Sequence, residues 1–407
     1  MDLMLVVFII ALLILISGAL FKKFENISIT EPLLAMLTAV ILGPDGINFL
    51  KTDTSQEFYI LERTCEFTMA VALMATALRL PKSFFRSHKK TQLPFVILGM
   101  VLMWISSSSI FYWIFDFSLA ECLLLGAIIT PTDPVVAATL VTGDKAKKYL
   151  PERVRNTLSF EAGVNDGLAF PLVFFGIFLL NSQSFPLEKW ITHTLLYETI
   201  LCSIIAYGVG HFAGRALHHA NKRGFMNEKT VLPFSLSLSL ILLSGLDLLG
   251  MNGIIAVFIG GLAFRRTISE DEDLKEERVQ ESMERIFTIP AYFIFGLILP
   301  WQEWFSLGWT GFYIVLFIIF LRRIPALLAM IPLLPMFKGK TKDVLLMGWF
   351  GPIGVAALYY ALHSKEAASF DKAWIIPSLI VFASTVLHGV SSVPFEKLYY
   401  RSRKKDE

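Results

Sequence analysis

Two apolar stretches of this chain hold carboxylates beside residues that interrupt helices: Thr130-Pro131-Thr132-Asp133-Pro134, and Glu161-Ala162-Gly163-Val164-Asn165-Asp166-Gly167. An acid near the middle of a bilayer costs at least ~2.5–3.5 kcal/mol on insertion scales, so acids in such places are kept for work rather than for stability. Pro131 and Pro134 bracket Asp133. Each removes a backbone donor and obstructs continuous helix, which leaves carbonyls without partners in the middle of the stretch. Free carbonyls together with a carboxylate make a site for a hard cation. The plainer alternative is a proline kink with an incidental acid; two prolines and a second acid cluster in the next stretch weigh against it.

In the second stretch Glu161 and Asn165 share a helix face, whereas Asp166 lies ~140° around from Glu161 at 100° per residue. The two acids therefore meet different neighbours. One can be held charged by a basic partner while the other exchanges a proton for a cation. The natural partner is Arg322-Arg323, since apart from Arg63 no other arginine falls inside an apolar stretch away from its cytoplasmic edge. Arginine does not lose its charge and needs a fixed anion such as Glu161. Arg323 is favoured for that buried role, and a snorkelling position at the cytoplasmic end is expected for one of the pair. Ser106 to Ser109 read as interhelical polar packing. Glu62, Glu66, Glu121, Glu198 and Asp247 are weaker candidates, most of them explained by interfacial placement.

The elements that position these residues are membrane spans. Of 407 residues 55% are hydrophobic and 17% charged, with a mean hydropathy of +0.62; ordinary soluble domains carry roughly 25% charged residues. Windows of about 20 apolar residues, enough to cross ~30 Å of hydrocarbon as helix, can be marked thirteen times. They cover 3–21, 27–43, 58–79, 92–115, 118–141, 154–180, 192–214, 230–248, 251–264, 286–304, 308–331, 343–363 and 373–395. The first follows Asp2 rather than a basic segment and reads as a retained span. With the N-terminus outside, 29 of the 36 Lys and Arg fall in the loops that are then cytoplasmic or at the span edges bordering them, four fall in the outer loops and three deeper within spans. That alternation supports thirteen spans in a cell membrane with the C-terminus inside. The mixed-charge insert Ser269 to Glu284 reads as a solvated amphipathic loop.

Basic residues scattered between apolar runs do not suit nucleic acid. Cys65, Cys122 and Cys202 lie inside spans without metal-ligand spacing, so neither a disulfide framework, a metal cage nor a cofactor is expected. The twelfth span is interrupted too, by Gly351-Pro352-Ile353-Gly354. If the seventh span is a connector, spans 1–6 and 8–13 form two halves of opposite orientation, with the broken helix fifth in each. An inverted-repeat transporter with a midplane site has that pattern.

At these residues the chain resembles the monovalent cation/proton antiporter superfamily, in the NhaP and sodium/hydrogen-exchanger branch, and most of all the fungal plasma-membrane sodium/proton antiporters. The resemblance rests on Gly43-Pro44, Leu80-Pro81-Lys82, Thr132-Asp133-Pro134, Glu161 with Asn165-Asp166-Gly167-Leu168-Ala169-Phe170-Pro171, Arg323-Ile324-Pro325 and Gly351-Pro352-Ile353-Gly354-Val355. It implies an all-α polytopic protein of the NhaA-like fold, working as a homodimer. Residues 1–90 and 187–306 would form the dimerisation scaffold, 91–186 and 307–396 the ion-translocating core, and 397–407 a short cytoplasmic tail. It implies Asp166 as the group that takes sodium or a proton in turn, Asp133 and Thr132 as nearby ligands, and Glu161 paired with Arg323. Asn165 is similar to the electroneutral class, since relatives with Asp there are electrogenic. Two positions depart from the pattern: Ala162 replaces a frequent Ser, and Ala75-Thr76-Ala77 stand where some relatives place a ligand Glu.

The expected activity is one-for-one exchange of sodium, lithium or potassium against a proton across the bilayer, not enzymatic catalysis. A cation channel would use the same broken helices without proton competition. An intramembrane aspartyl protease built on Asp133 and Asp166 lacks the Tyr-Asp and Gly-x-Gly-Asp settings such enzymes show.

Overall fold

In hydrocarbon a helix satisfies its own backbone groups, and the apolar runs of this chain fold accordingly. The computed structural model describes residues 3–26, 30–51, 54–135, 143–182, 186–225, 228–268 and 270–404, and these contain helices and no strands. Among the described residues six helical runs are long and apolar enough to cross a membrane: Leu3–Leu20, Phe84–Ile114, Glu152–Asn181, Leu187–Lys222, Gly308–Leu333 and Lys372–Lys404. Shorter apolar helices, Glu31–Leu42, Leu119–Ile128 and Phe234–Asp247, accompany them.

Two groups of helices emerge from the packing. Helix Gly253–Thr267 lies between Cys202–Lys222 and Thr54–Arg79, and helix Glu270–Leu297 runs along Glu31–Leu42 and Thr54–Arg79. In the other group Leu119–Ile128 packs between Phe84–Ile114 and Glu152–Asn181, while Val355–Ala367 packs on Lys372–Lys404 and also on Thr54–Arg79 of the first group. The seam between groups is made close by Gly163 and Gly167 of helix Glu152–Asn181. A Cβ on Gly163 would stand 2.1 Å from the Phe258 ring, and one on Gly167 would stand 2.6 Å from Ile255 Cβ. Without a side chain, Gly163 leaves room for the Phe258 ring, and Gly167 lets the helix lie against the backbone at Ile255.

The structure departs from the sequence reading in several places. The insert expected as a loop is helical: Glu270 to Glu284 belong to helix Glu270–Leu297, and Ser269 lies outside the described residues. A mixed-charge run with acids and bases three and four apart suits a solvated helix as well as it suits a loop. The tenth window is two helices, Glu270–Leu297 and Trp301–Ser306. The eleventh is divided at Arg322-Arg323 into Gly308–Leu321 and Ile324–Met330. Between the eighth and ninth windows the chain turns after Asp247, and Asn252 caps helix Gly253–Thr267 by accepting from Ile255 N. Residues 136–141 of the fifth window lie outside the described residues.

A candidate ion site at the crossing of two broken helices

Helix Leu119–Ile128 starts at a reciprocal capping box, in which Ser118 Oγ accepts from Glu121 N and Glu121 Oε2 accepts from Ser118 N at 2.7 Å. That explains one of the border acids. The helix stops before Pro131, where the ring cannot continue it, and Thr130 Oγ1 donates back to Gly126 O at 2.7 Å. The other break spans Phe350 to Gly354, between helices Thr341–Trp349 and Val355–Ala367. The two interruptions meet: Asp133 N donates to Pro352 O at 2.8 Å.

Breaking two helices exposes four helix ends, and oppositely charged side chains serve them. The amino end of Val355–Ala367 faces Asp133, with Val355 N donating to Oδ2 at 3.3 Å, and Val135 N donates to Oδ1 at 2.7 Å. A carboxylate at a helix amino end meets unpaired N–H groups and the positive end of the dipole. Arg322 serves the carbonyl ends. Its Nη1 donates to Ile129 O, and its Nη2 donates to Gly351 O at 2.5 Å, so one guanidinium bridges the two broken helices. A third set of bonds comes from helix Lys372–Lys404: Ser384 Oγ accepts from Ile353 N at 2.8 Å, and His388 Nε2 lies 2.9 Å from Trp349 O.

Arg323 points the other way. Its Nη1 and Nη2 both donate to the Glu161 carboxylate, the second at 2.6 Å, and its Nε donates to Met347 O at 2.9 Å. Arg322 and Arg323 are 2% and 1% exposed, so the snorkelling position expected for one of them is not found. The physical reason is the break itself, whose free carbonyls give Arg322 partners that water would otherwise supply.

Asn165 and Thr132 are bonded to each other. Asn165 Nδ2 donates to Thr132 Oγ1 at 2.7 Å, and Asn165 Oδ1 accepts from Thr132 N at 3.3 Å. Asp166 is different: it is wholly buried, and neither carboxylate oxygen has a hydrogen-bond partner among the described residues. Its own backbone carbonyl accepts from Tyr360 Oη at 2.6 Å. One turn later Pro171 leaves Gly167 O without its helical donor, and Asn252 Nδ2 supplies one at 2.9 Å. Asp166 directly follows Asn165, which is bonded to Thr132 beside Asp133, so it stands at the same crossing. Two acids, a hydroxyl, an amide and unwound backbone thus converge, and one of the acids is free to take a guest. Gly354 permits this closeness, since a Cβ there would fall 1.7 Å from Asp133 Oδ2.

Other acids noted in the sequence are held elsewhere. Glu66 pairs with Arg63 at 2.6 Å, and Glu198 stands 3.1 Å from His193 Nδ1. Of the serine run, Ser106 Oγ donates to Leu321 O at 3.0 Å, just ahead of the Arg322-Arg323 break. Sequence reasoning did not find Tyr292, whose hydroxyl donates to Asp133 Oδ2 at 2.5 Å, nor Ser384 and His388. For Tyr292 no sequence signal exists beyond an aromatic residue in an apolar helix.

The chain is 32% identical over 360 residues to Na(+)/H(+) antiporter 2 of Zygosaccharomyces rouxii, covering 86% of this chain and 44% of that protein. It is 26% identical to the Na(+)/H(+) antiporter of Schizosaccharomyces pombe, covering 90% and 84% of the two chains. It spans 35% of the Na(+)/H(+) antiporter of Saccharomyces cerevisiae, so some of these relatives are more than twice the length matched. In fold it is similar to the sodium proton antiporter MjNhaP1 of Methanocaldococcus jannaschii, with a TM-score of 0.75 at 18% identity, covering 98% of this chain and 99% of that one. The family model described as "Sodium/hydrogen exchanger, transmembrane" matches residues 8–397. The chain is therefore a multi-pass membrane protein that belongs to the sodium/hydrogen exchanger family.

Proposed function

We propose that this protein exchanges a monovalent cation, sodium first and lithium or potassium as further candidates, for a proton, one for one, at Asp166. The observation that carries the reading is the buried Asp166 carboxylate, which has no hydrogen-bond partner among the described residues and lies beside the crossing of two broken helices. A bare carboxylate sealed from water is strongly disfavoured, so the group takes either a proton or a cation. Both need the same negative charge, and mutual exclusion supplies coupling without a separate gate. The names of similar proteins, Na(+)/H(+) antiporters in yeasts and K(+)/H(+) antiporters in Shewanella, support this choice of substrates.

In the proposed cycle Asp133 and Thr132 stand beside the cation, Asn165 holds Thr132, and the Glu161–Arg323 pair fixes the helix that carries Asp166. Pro131, Pro134, Gly351, Pro352 and Gly354 keep the two helices unwound. Loaded with either species, a core of residues 91–186 and 307–396 moves against a scaffold of 1–90 and 187–306, exposing the site to each side in turn. The empty, charged site does not cross. With Asn rather than Asp at position 165 the exchange is electroneutral. The same reading includes thirteen spans in two inverted halves, a homodimer, and a place in the cell membrane with the N-terminus outside and the C-terminus inside.

The test is cation-driven pH change in proteoliposomes. Wild-type protein should acidify or alkalinise the lumen according to the sodium gradient, and Asp166→Asn should abolish the signal. Exchange at the wild-type rate in Asp166→Asn overturns the reading.

A further inference from the structure

Tyr292 reaches the crossing from helix Glu270–Leu297, which packs along Glu31–Leu42 and Thr54–Arg79, whereas Asp133, Asp166, Arg322 and Gly354 come from other elements. The residue is wholly buried and its hydroxyl donates to Asp133 Oδ2 at 2.5 Å, the short end of the range for an O–H donor on a carboxylate. Oδ2 also accepts from Val355 N at 3.3 Å, and Oδ1 from Val135 N at 2.7 Å. A cation that draws on Oδ2 must therefore displace a donor or share it. Val355 N and Val135 N are fixed by backbone, so the phenol is the donor that can yield. Gly354 holds it close, since a Cβ there would lie 2.5 Å from the Tyr292 hydroxyl.

We propose that Tyr292 is a positioning residue that competes with the cation for Asp133 and ties the unloaded site to helix Glu270–Leu297. The proposal rests on cation binding at Asp133 and Asp166 as described above. When a cation arrives, the hydroxyl gives up Oδ2, and the link between this helix and the broken helices is released. Cation loading thereby loosens the contact that any relative movement of the two groups has to break. Affinity and movement are connected through one hydrogen bond.

Phenylalanine fills the same buried slot without the oxygen, so Tyr292→Phe isolates the bond. In proteoliposomes the half-maximal sodium concentration of Tyr292→Phe should fall at least threefold, together with the maximal rate, because the cation meets no competitor and leaves more slowly. Values within twofold of wild type for both quantities overturn the proposal, and so does a raised half-maximal concentration, which would make the hydroxyl a ligand rather than a competitor. An independent measurement uses the wild-type chain with ring-13C tyrosine. Infrared difference spectra between sodium and choline chloride should contain a tyrosine C–O band with the same sodium dependence as transport. A difference spectrum without a tyrosine band overturns the proposal even where the variant does not fold. Asp166→Asn run in parallel separates the two readings: transport lost there but unchanged in Tyr292→Phe removes the role of Tyr292 alone, while transport retained in Asp166→Asn removes the exchange mechanism itself.

Discussion

Arg323 holds Glu161 with both terminal nitrogens of its guanidinium, in a setting where the side chains of both are about 2% exposed. Such a fork matches a carboxylate in shape as well as in charge. It also explains how Glu161 and Asp166, five residues apart, take different parts: one acid is paired with an arginine, and the carboxylate of the other has no hydrogen-bond partner among the described residues.

Removing one member of this pair strands the other charge in the interior, which costs about 3–5 kcal/mol. Glu161→Gln and Arg323→Gln should each lower the denaturation midpoint of the detergent-solubilised protein steeply. The double variant should lose less than the two single losses combined, because no lone charge remains. A double variant whose loss equals that sum would show that the pair contributes nothing as a pair.

Competition at Asp166 predicts how sodium and pH trade against each other. Protonation removes the charge that the cation needs, so acid conditions raise the half-maximal sodium concentration and alkaline conditions lower it to a plateau. In the acid range the slope should approach about a tenfold rise per pH unit for one proton displaced by one cation. Sodium titrations of exchange at stepped pH measure it. A half-maximal concentration independent of pH would show that the two ions bind at separate groups.

Gly354→Ala puts a methyl group where Asp133 Oδ2 now sits. The carboxylate must turn away from Val355 N and Tyr292, and overpacking of this kind costs about 1–3 kcal/mol. The variant should fold with a modestly lower melting temperature yet lose at least tenfold in exchange rate at subsaturating sodium. Wild-type transport in Gly354→Ala would mean that the position of Asp133 is not critical.

At position 165 the amide both donates to and accepts from Thr132. Aspartate keeps the acceptor for Thr132 N and can accept the Thr132 hydroxyl in place of the lost donor, so the contact survives while a second negative charge enters the site. Asn165→Asp should therefore turn silent exchange into transport that responds to membrane potential, measured as capacitive current on a solid-supported membrane. Exchange in Asn165→Asp that remains indifferent to potential would separate this residue from charge stoichiometry.

The legible parts of the site were those that are unusual in an apolar setting. Asp133, Asp166, Glu161 and the two arginines stand out because charges are rare there, and the prolines and glycines at 131, 134, 351, 352 and 354 mark where helices stop. What remained hidden depends on direction rather than on residue type. Arg322 and Arg323 are neighbours, and their opposite orientations follow from the helix break at that point, with Arg323 at φ −115° heading the next helix. Tyr292 looks like core packing within Ala291-Tyr292-Phe293, and its partner Asp133 is 159 residues away in the chain. His388 and Ser384 likewise gain meaning from carbonyl and amide groups that unwound backbone leaves free. The charged insert was misread because mixed charge describes a solvated surface of either kind, loop or helix.

Arg322 joins Ile129 O of one broken helix to Gly351 O of the other. Unwound therefore does not mean slack: the crossing is braced, whereas the boundary at Gly163 and Gly167 is held by the close fit of Phe258 and Ile255, and under the proposed cycle it is the face along which the core would move. Selection acting on that boundary can adjust how fast the protein works without disturbing which ion it prefers, a division of labour open equally to evolution and to the protein engineer.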